Sequence, residues 1–245
     1  MMNRQTFLVC LSVLLGIQAA FAAEDQRPNI VLILCDDLGY SDVGFNGAQD
    51  IRTPNLDGLA KAGTVFTSAY VPHPFCGPSR MGMMTGRYPH AFGAPFNLPV
   101  SSYVGVDENK GVSSSEELIS LILKKSGYHT GAVGKWHMGD AALYHPNARG
   151  FDEFYGFLGG GHKYFPKVYQ GINKRQVRAG NTNINDYVLP LERNGEAVKE
   201  TEYLTDGLSR EAADFVTEQQ NVTSRSFCTS PTTHRIRRLK PRTKT

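Results

Sequence analysis

The sequence predicts an α/β fold with a mostly parallel central sheet flanked by helices on both faces. Residues 29–35 (NIVLILC) form a continuous apolar run, the pattern of a strand buried on both faces of a parallel sheet. Further apolar runs alternate with segments of helical spacing, which argues for layered α/β architecture. Polar clusters stand where the strands end, the place at which ligands collect in open sheets of this kind.

Taken in order, the run at 29–35 ends in Asp36-Asp37 and a loop containing Gly39. Thr53-Pro54 opens a helix, Thr as N-cap and Pro at the first helical position. Leu56, Leu59 and Ala60 form its apolar stripe, and Gly63 ends it. Residues 64–70 are expected as a strand. Residues 79–85 are expected as a helix, and 86–112, rich in Gly, Pro and Asn, as loop. Ser113 with Glu116 has the form of a capping box before Leu118, Leu121 and Ile122, with Gly127 as the stop. Residues 128–133 are expected as a strand leading to Gly134-Lys135-Trp136-His137. Glycine-rich loop then runs through Gly159-Gly160-Gly161, followed by a weak hairpin region at 167–200. Residues 204–216 make an amphipathic helix with Leu208, Ala212 and Phe215 on one face.

With 245 residues, 40% of them hydrophobic and 20% charged, the chain can bury one sizeable core. The net charge of +3 comes from the last twenty residues, which hold Arg235, Arg237, Arg238, Lys240, Arg242 and Lys244 and no acid. Subtracting these six leaves the remainder at −3, so the body has no basic character suggesting nucleic acid. Arg4, an apolar run at 7–17 and Ala20-Phe21-Ala22 read together as a signal peptide over residues 1–23. The protein is therefore expected to be exported, periplasmic or extracellular, with no stable membrane span after cleavage. Cys35, Cys76 and Cys228 remain, an odd number that describes no disulfide framework, with a Cys35–Cys76 bridge as the plain alternative.

Three clusters carry chemistry. Asp36 and Asp37 at a strand end repel each other unless a cation or donor neutralises them, and hard oxygen ligands favour calcium or magnesium. In Cys76-Gly77-Pro78-Ser79-Arg80, a cysteine at a helix start beside an arginine has a stabilised thiolate, suited to a nucleophile or a redox thiol. Lys135 and His137 place a cation and an acid/base group two positions apart after a strand. Taken singly, each cluster also reads as a solvated turn, a surface lysine or a hydrogen-bonded core histidine.

Together they are specific. Cys76-x-Pro78-Ser79-Arg80 followed by Met84-Thr85-Gly86-Arg87-Tyr88-Pro89 resembles the signature of the sulfatase family. Arg27-Pro28-Asn29 leading to Asp36-Asp37-Leu38-Gly39 resembles that family's opening strand. Thr53-Pro54-Asn55-Leu56-Asp57, residues 134–139 (GKWHMG) and Arg149-Gly150-Phe151-Asp152 match in order and spacing. The resemblance covers about residues 27–220, closest in style to bacterial arylsulfatases resembling N-acetylgalactosamine-6-sulfatase.

The resemblance implies a sulfuric ester hydrolase acting on a sulfated glycan or aryl sulfate. Cys76 would be converted to formylglycine by a separate formylglycine-generating or sulfatase-maturing enzyme, which counts against a disulfide there. One hydroxyl of the hydrated aldehyde would attack sulfur, and the second would expel sulfate. Asp36, Asp37 and the residue-76 oxygen would hold Ca2+, with Mg2+ as the alternative. Arg80 would stabilise the nucleophile, Lys135 would bind sulfate oxygens, and His137 would take a proton. His162 is expected either to face substrate or to lie on the surface. A phosphate or phosphonate ester hydrolase of the same superfamily, and a non-catalytic remnant, are the competing readings.

The family's later portion supplies a further histidine, an Asp-Asn pair and a second lysine, and nothing after residue 200 here matches them. The expected organisation is a signal peptide (1–23), an incomplete catalytic domain (24–225) and a basic tail (226–245). Permitted codons for that tail, read one base earlier, can encode a strand and a Pro-His-x-Pro segment, so the tail is expected to be out of frame. A chain truncated in this way is expected to be poorly soluble and of little activity. Asn221-Val222-Thr223 is a glycosylation sequon, meaningful only in a eukaryotic secretory pathway.

Overall fold

The computed structural model describes residues 27–98, 110–181, 184–220 and 226–232. The expected signal peptide, the sequon and the tail beyond residue 232 lie outside the described residues. The described strands are β1 (Ile30–Cys35), β2 (His129–Lys135), β3 (Glu153–Phe157), β4 (Glu192–Arg193), β5 (Glu196–Ala197) and β6 (Ser226–Thr232). The α-helices are α1 (Pro54–Ala62), α2 (Cys76–Thr85), α3 (Ile119–Lys125), α4 (Pro166–Arg178) and α5 (Leu204–Gln220). The strands form one sheet ordered β1–β6–β2–β3–β4–β5. The first four in that order run parallel, and the short β4–β5 hairpin adds an antiparallel edge.

β1 departs from expectation in one respect: only one of its faces is covered. Ile30 and Leu32 pack on the core, while Val31 and Ile33 are 53% and 55% exposed. Position explains this. β1 is an edge strand, and the helix on that face, α5, lies over β6, β2 and β3.

Core fills both sides of β2 and β3. On one face Met81 and Met84 of α2 meet Leu118, Trp136, Phe151 and Phe154. On the other, Val133, Tyr155 and Phe157 meet Leu191 and the Leu204, Leu208 and Phe215 stripe of α5. Alternate residues of each strand point to opposite faces, so β3 sends Phe154 to one cluster and Tyr155 and Phe157 to the other. Gly131 is required for this closure: a Cβ there would lie 2.6 Å from the Phe215 ring.

The least expected strand lies inside the sheet. β6 sits between β1 and β2, with Ile30 opposite Phe227, Cys35 opposite Thr232, and His129 opposite Ser226. The composition break at residue 226 is therefore not an end of the sheet. Pro231, which has no N–H to give, is tolerated because pairing with β2 stops at Thr229.

Other expectations need correction. Residues 64–70 form no strand and are exposed throughout, since no neighbouring strand offers them a ladder. α3 begins at Ile119, after an N-cap, Leu118, that makes no side-chain cap. Glu116 does not box that helix; its carboxylate takes the Arg87 guanidinium at 2.5 Å, and its carbonyl accepts from Arg149 at 2.7 Å. β3 falls in a stretch expected as loop. α4 falls where a hairpin was expected; it is mostly polar, and Tyr169 is its one buried residue. The hairpin itself is smaller, turning on Asn194 and Gly195, both with positive φ.

Candidate active site

Helix α2 starts at Cys76 without a side-chain cap from its own N-cap, Phe75. A distant residue does that work. Asn97 Oδ1 accepts the Gly77 N–H at 3.0 Å and lies 3.6 Å from Cys76 Sγ. Pro78, in the first turn, gives up an N–H that has no intrahelical acceptor. The result is a side chain at position 76 standing at the positive end of a helix.

One turn on, Arg80 is 3% exposed. Its NH1 donates to the Lys135 carbonyl at 2.8 Å, and NH2 lies 3.6 Å from Asp36 Oδ1. Nε and NH2 have no hydrogen-bond partner. A buried guanidinium with unspent donors is costly unless it faces negative charge. Burial pulls Arg80 below its ordinary value, against the opposing charges of Asp36 and Cys76.

The end of β2 supplies the next groups. Lys135 is buried and donates to Asp36 Oδ2 at 2.8 Å. Burial works to raise the Asp36 carboxyl, but the Lys135 hydrogen bond and the Arg80 charge outweigh it and hold it low. Asp37 follows in a left-handed conformation, φ 56°. His137 shares that conformation, φ 56°, which turns the chain back toward α2. Its Nδ1 lies 3.2 Å from Cys76 Sγ. Burial, then Lys135 and Arg80, push the imidazole down to about 4, so it is neutral at neutral pH.

Asp36, Asp37, Cys76, Ser79, Arg80, His73 and Phe75 line one cavity of about 270 Å³, and Lys135 and His137 join it through their contacts with Asp36 and Cys76. All six sequence-predicted site residues therefore come together. No disulfide joins Cys35 to Cys76. Two carboxylates beside Cys76 suit a hard dication in donor type. They supply only part of the six to eight oxygens calcium takes, and among the described residues no three His, Cys, Asp or Glu converge as a metal site.

His162 neither faces substrate nor lies on the surface. It is buried, with Nδ1 against the Lys163 carbonyl and Nε2 against the Leu189 carbonyl, both at 2.8 Å. Its ring packs on Tyr169 at 4.8 Å, tying the glycine loop to α4.

Sequence reasoning missed Asn97, and also the support behind His137. A Cβ on Gly160 would sit 3.1 Å from the His137 ring, so the loop lies flat against the imidazole. The Gly160 N–H is held by Asp186 Oδ2 at 3.1 Å, and burial raises that carboxyl. The triple glycine is a visible signal; nothing in the sequence marks Asn97 or Asp186.

The Sulfatase family model matches residues 28–234. The chain belongs to the sulfatase family. This sulfatase is 43% identical over 154 residues to the N-acetylgalactosamine-6-sulfatase of Mus musculus, covering 62% of this chain and 29% of that protein. It is 39% identical over 151 residues to arylsulfatase G of Canis lupus familiaris, covering 62% and 27%. Among solved structures it is similar to Ps i-CgsB in complex with k-i-k-neocarrahexaose, with a TM-score of 0.82 and 55% identity, covering 86% of this chain and 46% of that one. The sulfatase thus spans less than half the length of these relatives. Among the described residues no helix is long and apolar enough to cross a membrane.

Proposed function

We propose that this chain carries the nucleophile and the sulfate-gripping side of a sulfuric ester hydrolase that acts on sulfated carbohydrate. One observation carries the reading: Cys76, 3.2 Å from a neutral His137, shares a cavity with Asp36, Asp37 and the buried Arg80. The carbohydrate assignment is supported by the name N-acetylgalactosamine-6-sulfatase among its relatives and by the oligosaccharide complex of Ps i-CgsB.

Arg80 and Lys135 present fixed cations with little reorganisation left to make, which suits stabilisation of charge developing on sulfate oxygens. His137, neutral and within reach of the atom at position 76, takes a proton from a nucleophile placed there. Asn97 holds the helix start that aims this side chain. Cys76, converted to formylglycine by a separate maturing enzyme, would supply a hydrated aldehyde as nucleophile. Asp36 and Asp37 would hold a calcium or magnesium ion, which would supply Lewis-acid polarisation of the ester. The expected compartment is periplasmic or extracellular.

Co-expression with a sulfatase-maturing enzyme, followed by mass spectrometry of the Cys76 peptide, tests the nucleophile. The expected product is the aldehyde; a persistent thiol favours the non-catalytic remnant. Rates on an aryl sulfate and an aryl phosphate then test the reaction, and faster phosphate hydrolysis overturns the sulfate assignment. The nucleotide sequence across codon 225 tests whether residues 226–245 are out of frame; an alternate frame that does not continue into further sulfatase sequence refutes it.

A further inference from the structure

The candidate site has two unlike walls. One is ionic: Asp36, Arg80 and Lys135 are interlocked by short contacts, and His137 closes over Cys76. The other is the segment from Val71 to Phe75, which lines the same cavity. Val71 and Phe75 are 62% and 58% exposed, Pro74 joins them in the lining, and the one polar side chain on this wall is His73.

The His73 ring is held in a defined state. Its Nδ1 accepts the Phe75 N–H at 3.1 Å. A ring nitrogen that accepts a hydrogen bond carries no proton, so in the neutral imidazole the proton is on Nε2. The ring is further held by Phe75 and His90, each at a centroid distance of 5.7 Å. The half-buried His73 therefore brings one N–H donor to a wall that is otherwise apolar.

Ligand sites commonly have this composition, with apolar surface for contact and a few polar groups that set orientation. An ester sulfate seated on the ionic wall leaves its alcohol facing the other wall. A pyranose ring offers that wall C–H groups for packing and hydroxyl or ring oxygens as acceptors. We propose that His73 is a substrate-contact residue, whose Nε2–H donates to an oxygen of the sulfated sugar while Phe75 packs on the ring. This rests on the sulfated-carbohydrate reading above and adds to it a residue that reads the sugar and not the sulfate.

The test is calorimetric titration of the full chain with N-acetylgalactosamine 6-sulfate, with unsulfated N-acetylgalactosamine and with inorganic sulfate. The wild type is expected to bind the sulfated sugar more tightly than inorganic sulfate. His73→Ala is expected to weaken the sulfated sugar roughly three- to tenfold, the worth of one hydrogen bond, and to leave inorganic sulfate unchanged. His73→Gln, which keeps a donor, is expected to recover most of that loss. Ring 15N shifts report the tautomer independently of any ligand, and the Nε2–H form is expected. An Nδ1–H ring, equal binding of sulfate and sulfated sugar, or equal loss of both in His73→Ala each overturns the contact. His73-dependent sugar binding without aryl sulfate turnover would sink the hydrolytic reading and leave this contact standing. Turnover with no dependence of sugar binding on His73 would do the reverse.

Discussion

The core around α2, β2 and β3 and the segment from Tyr40 to Phe75 both reach the candidate cavity, the first through Cys76 and Arg80 and the second through Val71, His73 and Phe75, but they are built differently. In the first, Arg80, Lys135, His137, Met81, Trp136 and Phe154 are all under a tenth exposed. In the second, α1 has no buried residue, and Tyr40, Phe66 and Tyr70 are 68%, 77% and 88% exposed. The packed side holds charges in fixed positions, which on the proposed function suits a sulfate group. The open side has no such packing to restrict change.

The largest expected effect breaks the packed side. Arg80→Ala strips one partner from a buried charge cluster and should cost about 3–5 kcal/mol in urea unfolding. A loss under about 1 kcal/mol would mean that the cluster is not structurally coupled.

Acid should act on the same side. The folded His137 imidazole, at about 4, lies below its ordinary 6.5, so between these pH values the unfolded chain binds a proton that the folded chain refuses. Stability therefore falls as pH drops from 6.5 toward 4, by roughly 3 kcal/mol in all, and is indifferent to this group above 6.5. Asp36, held below its ordinary 3.8, adds its loss only on further acidification. In His137→Asn the slope between pH 6.5 and 4 should flatten; an unchanged slope in denaturation midpoints would assign it to other groups.

Gly131→Ala tests how tightly α5 closes on the sheet. The new Cβ would meet the Phe215 ring at 2.6 Å, and overpacking of this kind costs about 1–3 kcal/mol. Thermal unfolding at the wild-type midpoint would contradict the contact. The smallest effect belongs to the open side. Leu59, 65% exposed on α1, should tolerate Ala within about 0.5 kcal/mol. A larger loss would show that this helix is covered in solution.

The site was more legible in the sequence than the sheet that builds it. Asp36, Asp37, Lys135 and His137 follow strand ends, and Cys76 and Arg80 open a helix, so local pattern places their chemistry. Asn97 and Asp186 act through single long-range hydrogen bonds to Gly77 and Gly160, and a lone polar residue in a loop carries no such signal. β3 is only five residues long beside glycine-rich turns, and α4 carries few apolar residues and buries only Tyr169, so neither signals itself strongly. β6 lies where composition turns polar and basic; its place follows from register against two neighbours and not from its own residues.

That register has a consequence for the order of events in the life of the chain. β1 and β2 never touch as partners; the strand between them is the last of the described strands to leave the ribosome. Until it threads in, nothing aligns the Asp36 carboxylate with the Lys135 ammonium, residues separated by 99 positions along the chain. Throughout that interval the thiol at position 76 has no closed pocket around it, and the maturing enzyme proposed above would have a window in which to reach it.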